Sequence, residues 1–281
     1  MKKVRIIGVP EHFNLPWHMA IEEGAFEERG IDLEWTEIPE GTGKMCQMLQ
    51  NNETDLAIIL TEGLVKSITE GNSSKIVQEY ISTPLQWGIH VGAKSKYKSI
   101  ADLKGSKAAI SRMGSGSHLM AFVNAQNKGW PTDSLRFEII NNLDGAVAAL
   151  TEGTADYFMW ERFTTKPLVD KGVFRRLGDC PTPWPCFVIA ATQKFLNEEE
   201  NILRHILEVI NNYTSEFKQI PSIDRSLANR YAQQLEDIQE WLRITQWSQK
   251  QLPEATLTKV QDTLRELNLI DKPISLSKIL N

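Results

Sequence analysis

LQNNETDLAIIL at residues 49–60 and LTEGTADYFMW at residues 150–160 share one grammar. In each, a leucine closing a helical pattern precedes an aspartate by six positions, Leu49 before Asp55 and Leu150 before Asp156. Each aspartate then opens an apolar run of strand length. Outward from the first stretch, VRIIGV at 4–9 reads as a strand, 17–29 as a helix, IDLEWTEI at 31–38 as a strand and 43–50 as a helix. Around the second, KAAIS at 107–111, a helix at 118–128, LRFEII at 135–140 and a helix at 145–150 follow in the same order. Both first helices start beside a histidine, His18 or His118, and close at a glycine, Gly30 or Gly129. One βαβαβ pattern recurring with matched punctuation implies two α/β lobes of related architecture, with parallel strands joined by right-handed crossovers.

Between the copies, YISTPLQWGIHVGA at 80–93 is extended around Pro84, and SIADLKG at 99–105 reads as a short helix ending at Gly105. After the second copy, Pro181, Pro183 and Pro185 stiffen a segment that leads into a further strand, CFVIAAT at 186–192. Beyond Asn197 the pattern is helical to the end. A parallel sheet needs cover on both faces, so this tail is expected to return to the first lobe. The expected division is a discontinuous lobe one, 1–83 with 193–281, and lobe two at 84–192.

A chain of 281 residues, 41% hydrophobic and 24% charged, is long and apolar enough to bury one or two cores. A formal net charge of -5 without basic runs offers no footprint for a phosphate backbone, so nucleic acid is not expected as a partner. The first ten residues run from two lysines into a strand with no signal-peptide pattern, which points to a cytoplasmic location as written, or a periplasmic or surface-attached one for a mature form. No apolar stretch is long enough to span a membrane. The three cysteines are Cys46, Cys180 and Cys186. Cys180 and Cys186 flank CPTPWPC and either pair in an oxidising setting or are two small semi-buried residues. His18, His90, His118 and His205 lack metal-ligand spacing, so no metal is expected.

Ligands of open parallel sheets bind beyond the carboxyl ends of the strands, where loops enter helix N-termini. In lobe one that rim comprises PEHFNLPW at 10–17, EGTG at 40–43 and TEG at 61–63; in lobe two it comprises SRMGSGSH at 111–118, NLDG at 142–145 and WERF at 160–163. Gly114, Ser115, Gly116 and Ser117 make a natural seat for an anion, with bare amides, a helix start and two hydroxyls, and Arg112 stands beside it. Neither the P-loop ending nor GxGxxG is present, so no nucleotide cofactor is implied. Phe13, Trp17, Trp87, Trp160 and Trp184 fall at rims or crossings, where flat rings suit an aromatic or heterocyclic ligand. Trp35, Trp130, Trp241 and Trp247 read as packing. Glu11 and His12 supply polar contacts in the first loop, Thr42 and Thr61 line the next two, and Glu62 and Glu161 occupy matching strand ends where they could orient a donor-rich ligand.

EEGAFEERGIDLEW at 22–35, NNETDLAII at 51–59, SIADLKGSKAAIS at 99–111 and LTKVQDTLRELNLIDKP at 257–273 together resemble the type 2 periplasmic-binding-protein fold, in the branch of nitrate, taurine and alkanesulfonate binders and thiamine-pyrimidine proteins. The resemblance spans nearly the whole chain. It implies a hinged two-lobe receptor that closes on a ligand between its lobes, with contacts mapping to the loop after strand one, EGTG, TEG and the GSGS helix start. The expected function is capture of a small anionic or heteroaromatic solute, as the binding component of an ABC-type uptake system with a permease partner or as a related carrier, and without a catalytic residue. The alternative is a cytosolic enzyme of thiamine-pyrimidine or other cofactor biosynthesis, using His12 or Glu161 as acid or base. The cysteine-rich run of the fungal pyrimidine-synthesising enzymes is absent.

Overall fold

The apolar runs become strands and the amphipathic runs become helices in the computed structural model, which describes residues 1–281. The chain opens with β1 (Lys2–Gly8), α1 (Leu15–Glu22), β2 (Ile31–Glu37), α2 (Thr42–Gln50), β3 (Leu56–Leu60), α3 (Thr61–Thr69) and β4 (Lys75–Ile81). β1 pairs in parallel with β2 on one side and β3 on the other. The helix expected over residues 17–29 is shorter, because Gly24 takes a left-handed φ of +73° and the chain continues as a single 3-10 turn, Glu27–Arg29.

The second part repeats the plan with β5 (Gln86–Gly92), β6 (Lys107–Ile110), α4 (Gly116–Asn127), β7 (Arg136–Ile139), α5 (Leu143–Glu152), β8 (Tyr157–Glu161), α6 (Arg162–Asp170) and β9 (Phe174–Pro181). The short helix expected before β6 is one 3-10 turn, Ile100–Leu103, held by a capping box between Ser99 and Asp102. β10 (Phe187–Ala191) and the helices α7 (Gln193–Glu198), α8 (Glu200–Glu216), α9 (Ile223–Arg230), α10 (Leu235–Ile244) and α11 (Glu254–Glu266) complete the chain.

Two five-stranded sheets result, with orders β2-β1-β3-β10-β4 and β7-β6-β8-β5-β9. β10 runs antiparallel between β3 and β4, and β5 runs antiparallel between β8 and β9. The two sheets are therefore built alike, and each takes its antiparallel strand from the segment that follows a crossing. The chain divides into unit one, Met1–Thr83 with Trp184–Asn281, and unit two, Pro84–Pro183. Residues 184–192 were expected in lobe two. They belong to unit one because β10 inserts between β3 and β4, where both of its edges find backbone partners.

The recurring aspartates explain themselves as the clamps of these sheets. Asp55 Oδ2 accepts the Arg5 amide at 2.8 Å while the Asp55 amide donates to the Arg5 carbonyl at 3.0 Å, tying the start of β3 to β1. Asp156 does the same for β8 and β6, accepting the Lys107 amide at 2.7 Å and donating to the Lys107 carbonyl at 2.8 Å.

Ile58 and Ile59 of β3 and Val188 and Ile189 of β10 have no exposed surface, so the centre of the first sheet is covered on both faces. The tail supplies part of that cover, with α8 on α1 and α11 on α3. It also protects the β4 edge: the Ser248 amide donates to the Tyr80 carbonyl and the Ser82 amide to the Gln246 carbonyl, both at 2.9 Å. Unit two packs Ala109, Ile140, Ala146, Leu150, Phe158 and Phe174 into its own core. Cys46, Cys180 and Cys186 are all buried and none is in a disulfide. No helix is long and apolar enough to cross a membrane.

Candidate functional site

In unit one the loop after β1 makes a 3-10 turn, His12–Asn14, and runs straight into α1. Its side chains do not stand open at the rim. The His12 ring stacks on Trp241 of α10, with centroids 4.3 Å apart and planes inclined by 25°, and Tyr231 lies 5.6 Å away. Phe13 fits between Phe187 and Trp241, and its carbonyl accepts the Tyr80 hydroxyl at 2.7 Å. The helical tail thus roofs this loop, and the signal for it was Trp241 itself, which sequence reading assigned to packing without saying on what. Burial drives the His12 pKa down to about 3, so the imidazole is neutral at physiological pH, and its Nε2 has no hydrogen-bond partner. Asn14, not singled out from the sequence, is also buried in this loop and donates to the Val9 carbonyl at 2.8 Å. Glu11 is half-buried. Trp17, expected at the rim, is instead packed among Phe26, Trp35 and Tyr80 with no exposed surface, because it sits on the core-facing side of α1.

Four other residues of unit one do converge. Thr61 opens α3, its amide bonding the Cys186 carbonyl at 3.0 Å and its hydroxyl the Pro185 carbonyl at 2.7 Å. These bonds fix the start of α3 to the strand that has just crossed back. Glu62 follows, buried to 1% exposure, with Oε2 accepting the Trp184 indole N–H at 2.8 Å. Its Oε1 is buried without a hydrogen-bond partner. Burial raises this carboxyl to about 7, and the hydrogen bonds from its own backbone amide and from Trp184 oppose the rise only in part. Gly63 lets the turn approach α2: a Cβ there would lie 2.3 Å from Cγ2 of Thr42, so only glycine admits that contact. Thr42, Thr61, Glu62 and Trp184 therefore form one constellation, and Trp184 reaches it only because the second crossing ends at residue 183.

The rim of unit two is organised differently. Trp87 and Glu161 are cross-strand neighbours on β5 and β8, and the Trp87 ring meets Trp160 edge-on at 6.3 Å. Trp87 is 4% exposed and its Nε1 has no partner, whereas Trp160 is half-buried and stacks on Phe158. Glu161 caps α6, with Oε2 accepting the Thr164 amide at 2.6 Å and the Thr164 hydroxyl at 2.9 Å. Burial raises its pKa to about 7 against those bonds. Arg162 pairs with Asp179 at 3.0 Å.

In the GSGS helix start, expected as an anion seat, both serine oxygens accept backbone amides of the same loop. Ser115 caps α4 by accepting the His118 amide at 3.3 Å, and Ser117 Oγ accepts the Ser111 amide at 3.0 Å. The Gly114 amide donates to His118 Nδ1 at 3.1 Å. Both serines are buried, Gly116 and Arg112 are half-buried and Gly114 is exposed. The motif is thus a self-capped turn in which each serine oxygen accepts a backbone amide. No group of three or more His, Cys, Asp or Glu side chains is placed to hold a metal ion.

Solved structures share this architecture along the whole chain. The Candida albicans CA3427 gene product, described as defining a new family with the generic periplasmic binding protein fold, is 24% identical, with a TM-score of 0.91 over 100% of this chain and 96% of its own. The chain has the periplasmic-binding-protein fold. The same periplasmic-binding-protein architecture is found in the alkanesulfonate-binding protein SsuA of Xanthomonas axonopodis pv. citri bound to MOPS, with 16% identity, a TM-score of 0.80 and coverage of 100% and 96%. It recurs in the aliphatic sulphonate binding protein SsuA of Escherichia coli, with 17% identity, a TM-score of 0.75 and coverage of 100% and 92%. A family model for Ca3427-like PBP matches residues 87–180, all within unit two of this periplasmic-binding-protein fold. No curated protein matches the chain.

Proposed function

We propose that this chain captures a small organic solute, anionic or heteroaromatic, through polar and aromatic residues at the strand tips of its sheets. The observation that carries the proposal is the pairing of a buried carboxyl with a tryptophan at both rims, Glu62 with Trp184 and Glu161 with Trp87, on a fold shared with sulfonate-binding proteins. Glu62 Oε1 and Trp87 Nε1 are buried at these strand tips without hydrogen-bond partners, which a ligand's polar groups would supply. The SsuA neighbours support delivery of the solute to an ABC permease, with a carrier role independent of a permease as the second possibility.

The test is a thermal-shift screen of the purified chain against sulfonates, carboxylates, amino acids and pyrimidines, with native mass spectrometry of the protein as isolated. A saturable rise in Tm with at least one class, following the logarithm of ligand concentration, is the expected result. A flat response across all classes, with no co-purifying mass, overturns the proposal.

A further inference from the structure

Glu62 is the best-placed unsatisfied group in unit one. Its carboxyl is buried to 1% exposure, one oxygen is held by Trp184 Nε1, and the other has no hydrogen-bond partner in another residue. A buried carboxyl oxygen without a donor is costly whether ionised or protonated, and folded chains keep such groups where something else supplies the missing hydrogen bond. Its surroundings fix it in position. Thr61 is bonded to Pro185 and Cys186, the Cys186 amide donates to the Thr83 carbonyl at 3.2 Å, and Gly63 abuts Thr42, so the first turn of α3 has little freedom to swing the carboxyl elsewhere.

Glu62 Oε1 is an unpartnered carboxyl oxygen at the strand-tip rim of unit one, and its carboxyl lies beside the indole of a buried tryptophan. We infer that Glu62 selects for a ligand that carries an N–H donor, an amine or an amino-substituted ring, and that Glu62 Oε1 receives that donor while Trp184 holds Oε2. This rests on the solute-binding reading above and narrows it: a simple alkanesulfonate lacks the group that Glu62 is placed to accept. An amino-bearing anion or an aminoheterocycle satisfies both the reading and this requirement. Trp184 is a positioning residue in this scheme, because it acts on the ligand through the carboxyl.

The experiment is isothermal titration of the full chain with matched probes that differ by one amino group: ethanesulfonate against taurine, butyrate against γ-aminobutyrate, and pyrimidine against aminopyrimidine. In at least one pair the amino compound is expected to bind about tenfold tighter or more, the ratio that one hydrogen bond to a carboxylate supplies. E62Q should abolish that preference. Trp184→Phe, which keeps the carboxyl and frees its second oxygen, should reduce the preference without abolishing it. Circular dichroism checks both variants for folding, and the wild-type pairs test the inference even if a variant fails to fold. Equal affinity within every pair that binds, or a preference that survives in folded E62Q, overturns this inference and leaves solute binding standing. Failure of every probe class to bind, here and in the thermal-shift screen, overturns the solute-binding reading and this inference with it.

Discussion

Replacing Glu62 by glutamine should make the ligand-free protein more stable, by a margin that grows as pH rises from about 4.5 to about 7 and is constant above that. Burial raises this carboxyl from its ordinary 4.5 to about 7. Between those values the folded chain keeps a proton that the unfolded chain has released, so stability falls as pH rises through the window and levels off above it. At about 1.4 kcal/mol per unit of pH, the full loss is about 3 kcal/mol. The glutamine side chain cannot ionise, yet its amide oxygen can still accept the Trp184 N–H, so E62Q retains the hydrogen bond and escapes the penalty. Urea unfolding followed by tryptophan fluorescence from about pH 4.5 to about pH 8 should give curves for wild type and variant that coincide at the acid end and separate by about 3 kcal/mol at the alkaline end. Taking the difference between the two proteins removes the contributions of Glu79 and Glu161, also raised, and of His12 and His90, both lowered by burial. A constant difference across the range would show that Glu62 titrates as an exposed carboxyl does, and the account of its environment would be wrong.

Three further outcomes follow from the packing. His12, neutral beneath Trp241, should show no imidazole titration by NMR from about pH 8 down to about pH 5, whereas an exposed histidine titrates near 6.5, and a midpoint there refutes its burial. Its wild-type contribution to stability is present above 6.5 and is lost progressively as pH falls toward about 3. Trp241→Ala removes the roof over both His12 and Phe13 and should cost about 3–5 kcal/mol in equilibrium unfolding, a loss that Trp241→Phe largely avoids; a cost under about 1 kcal/mol would mean the tail does not hold this loop. Asp55→Ala and Asp156→Ala should each cost about 1–3 kcal/mol, with faster amide exchange confined to β1 and β3 in the first and to β6 and β8 in the second, and exchange that accelerates equally in both units in either variant refutes the clamp.

Local chemistry made the two βαβαβ repeats legible, because each depends on near neighbours: a helix end, a loop and an aspartate that closes on the first strand of its own repeat. The place of CFVIAAT was not legible in the same way. Nothing within those residues says which sheet will pair with them, and the strand is claimed by β3 and β4, more than a hundred residues earlier in the chain. That one long-range pairing moves Trp184 from the expected second lobe to the side of Glu62. In the GSGS segment, glycines and hydroxyls at a helix start describe an anion seat by composition, and what the sequence does not show is that the Ser117 and Ser115 oxygens also accept the Ser111 and His118 amides from within the loop. Trp17 was placed at a rim by its position in the chain, whereas the face of α1 on which it lies turns it into the core.

The rims also divide their labour between the repeat and the exchanged strands. Each carboxyl comes from a βαβαβ repeat, Glu62 just after β3 and Glu161 at the end of β8. Each tryptophan arrives with a crossing, Trp87 at the start of β5 and Trp184 ahead of β10. The two copies nevertheless differ in how the carboxyl is satisfied. Glu161 Oε2 is fixed by the amide and hydroxyl of Thr164, within the helix it caps, so its own unit supplies donors whatever stands at the rim. Glu62 Oε2 is fixed by a side chain of the returning segment, and Oε1 is left open. An asymmetry of this kind within a repeated framework separates a carboxyl that builds its helix from one kept for a donor from outside, and it singles out Glu62 as the position where substitution should change what is bound more than whether the chain folds.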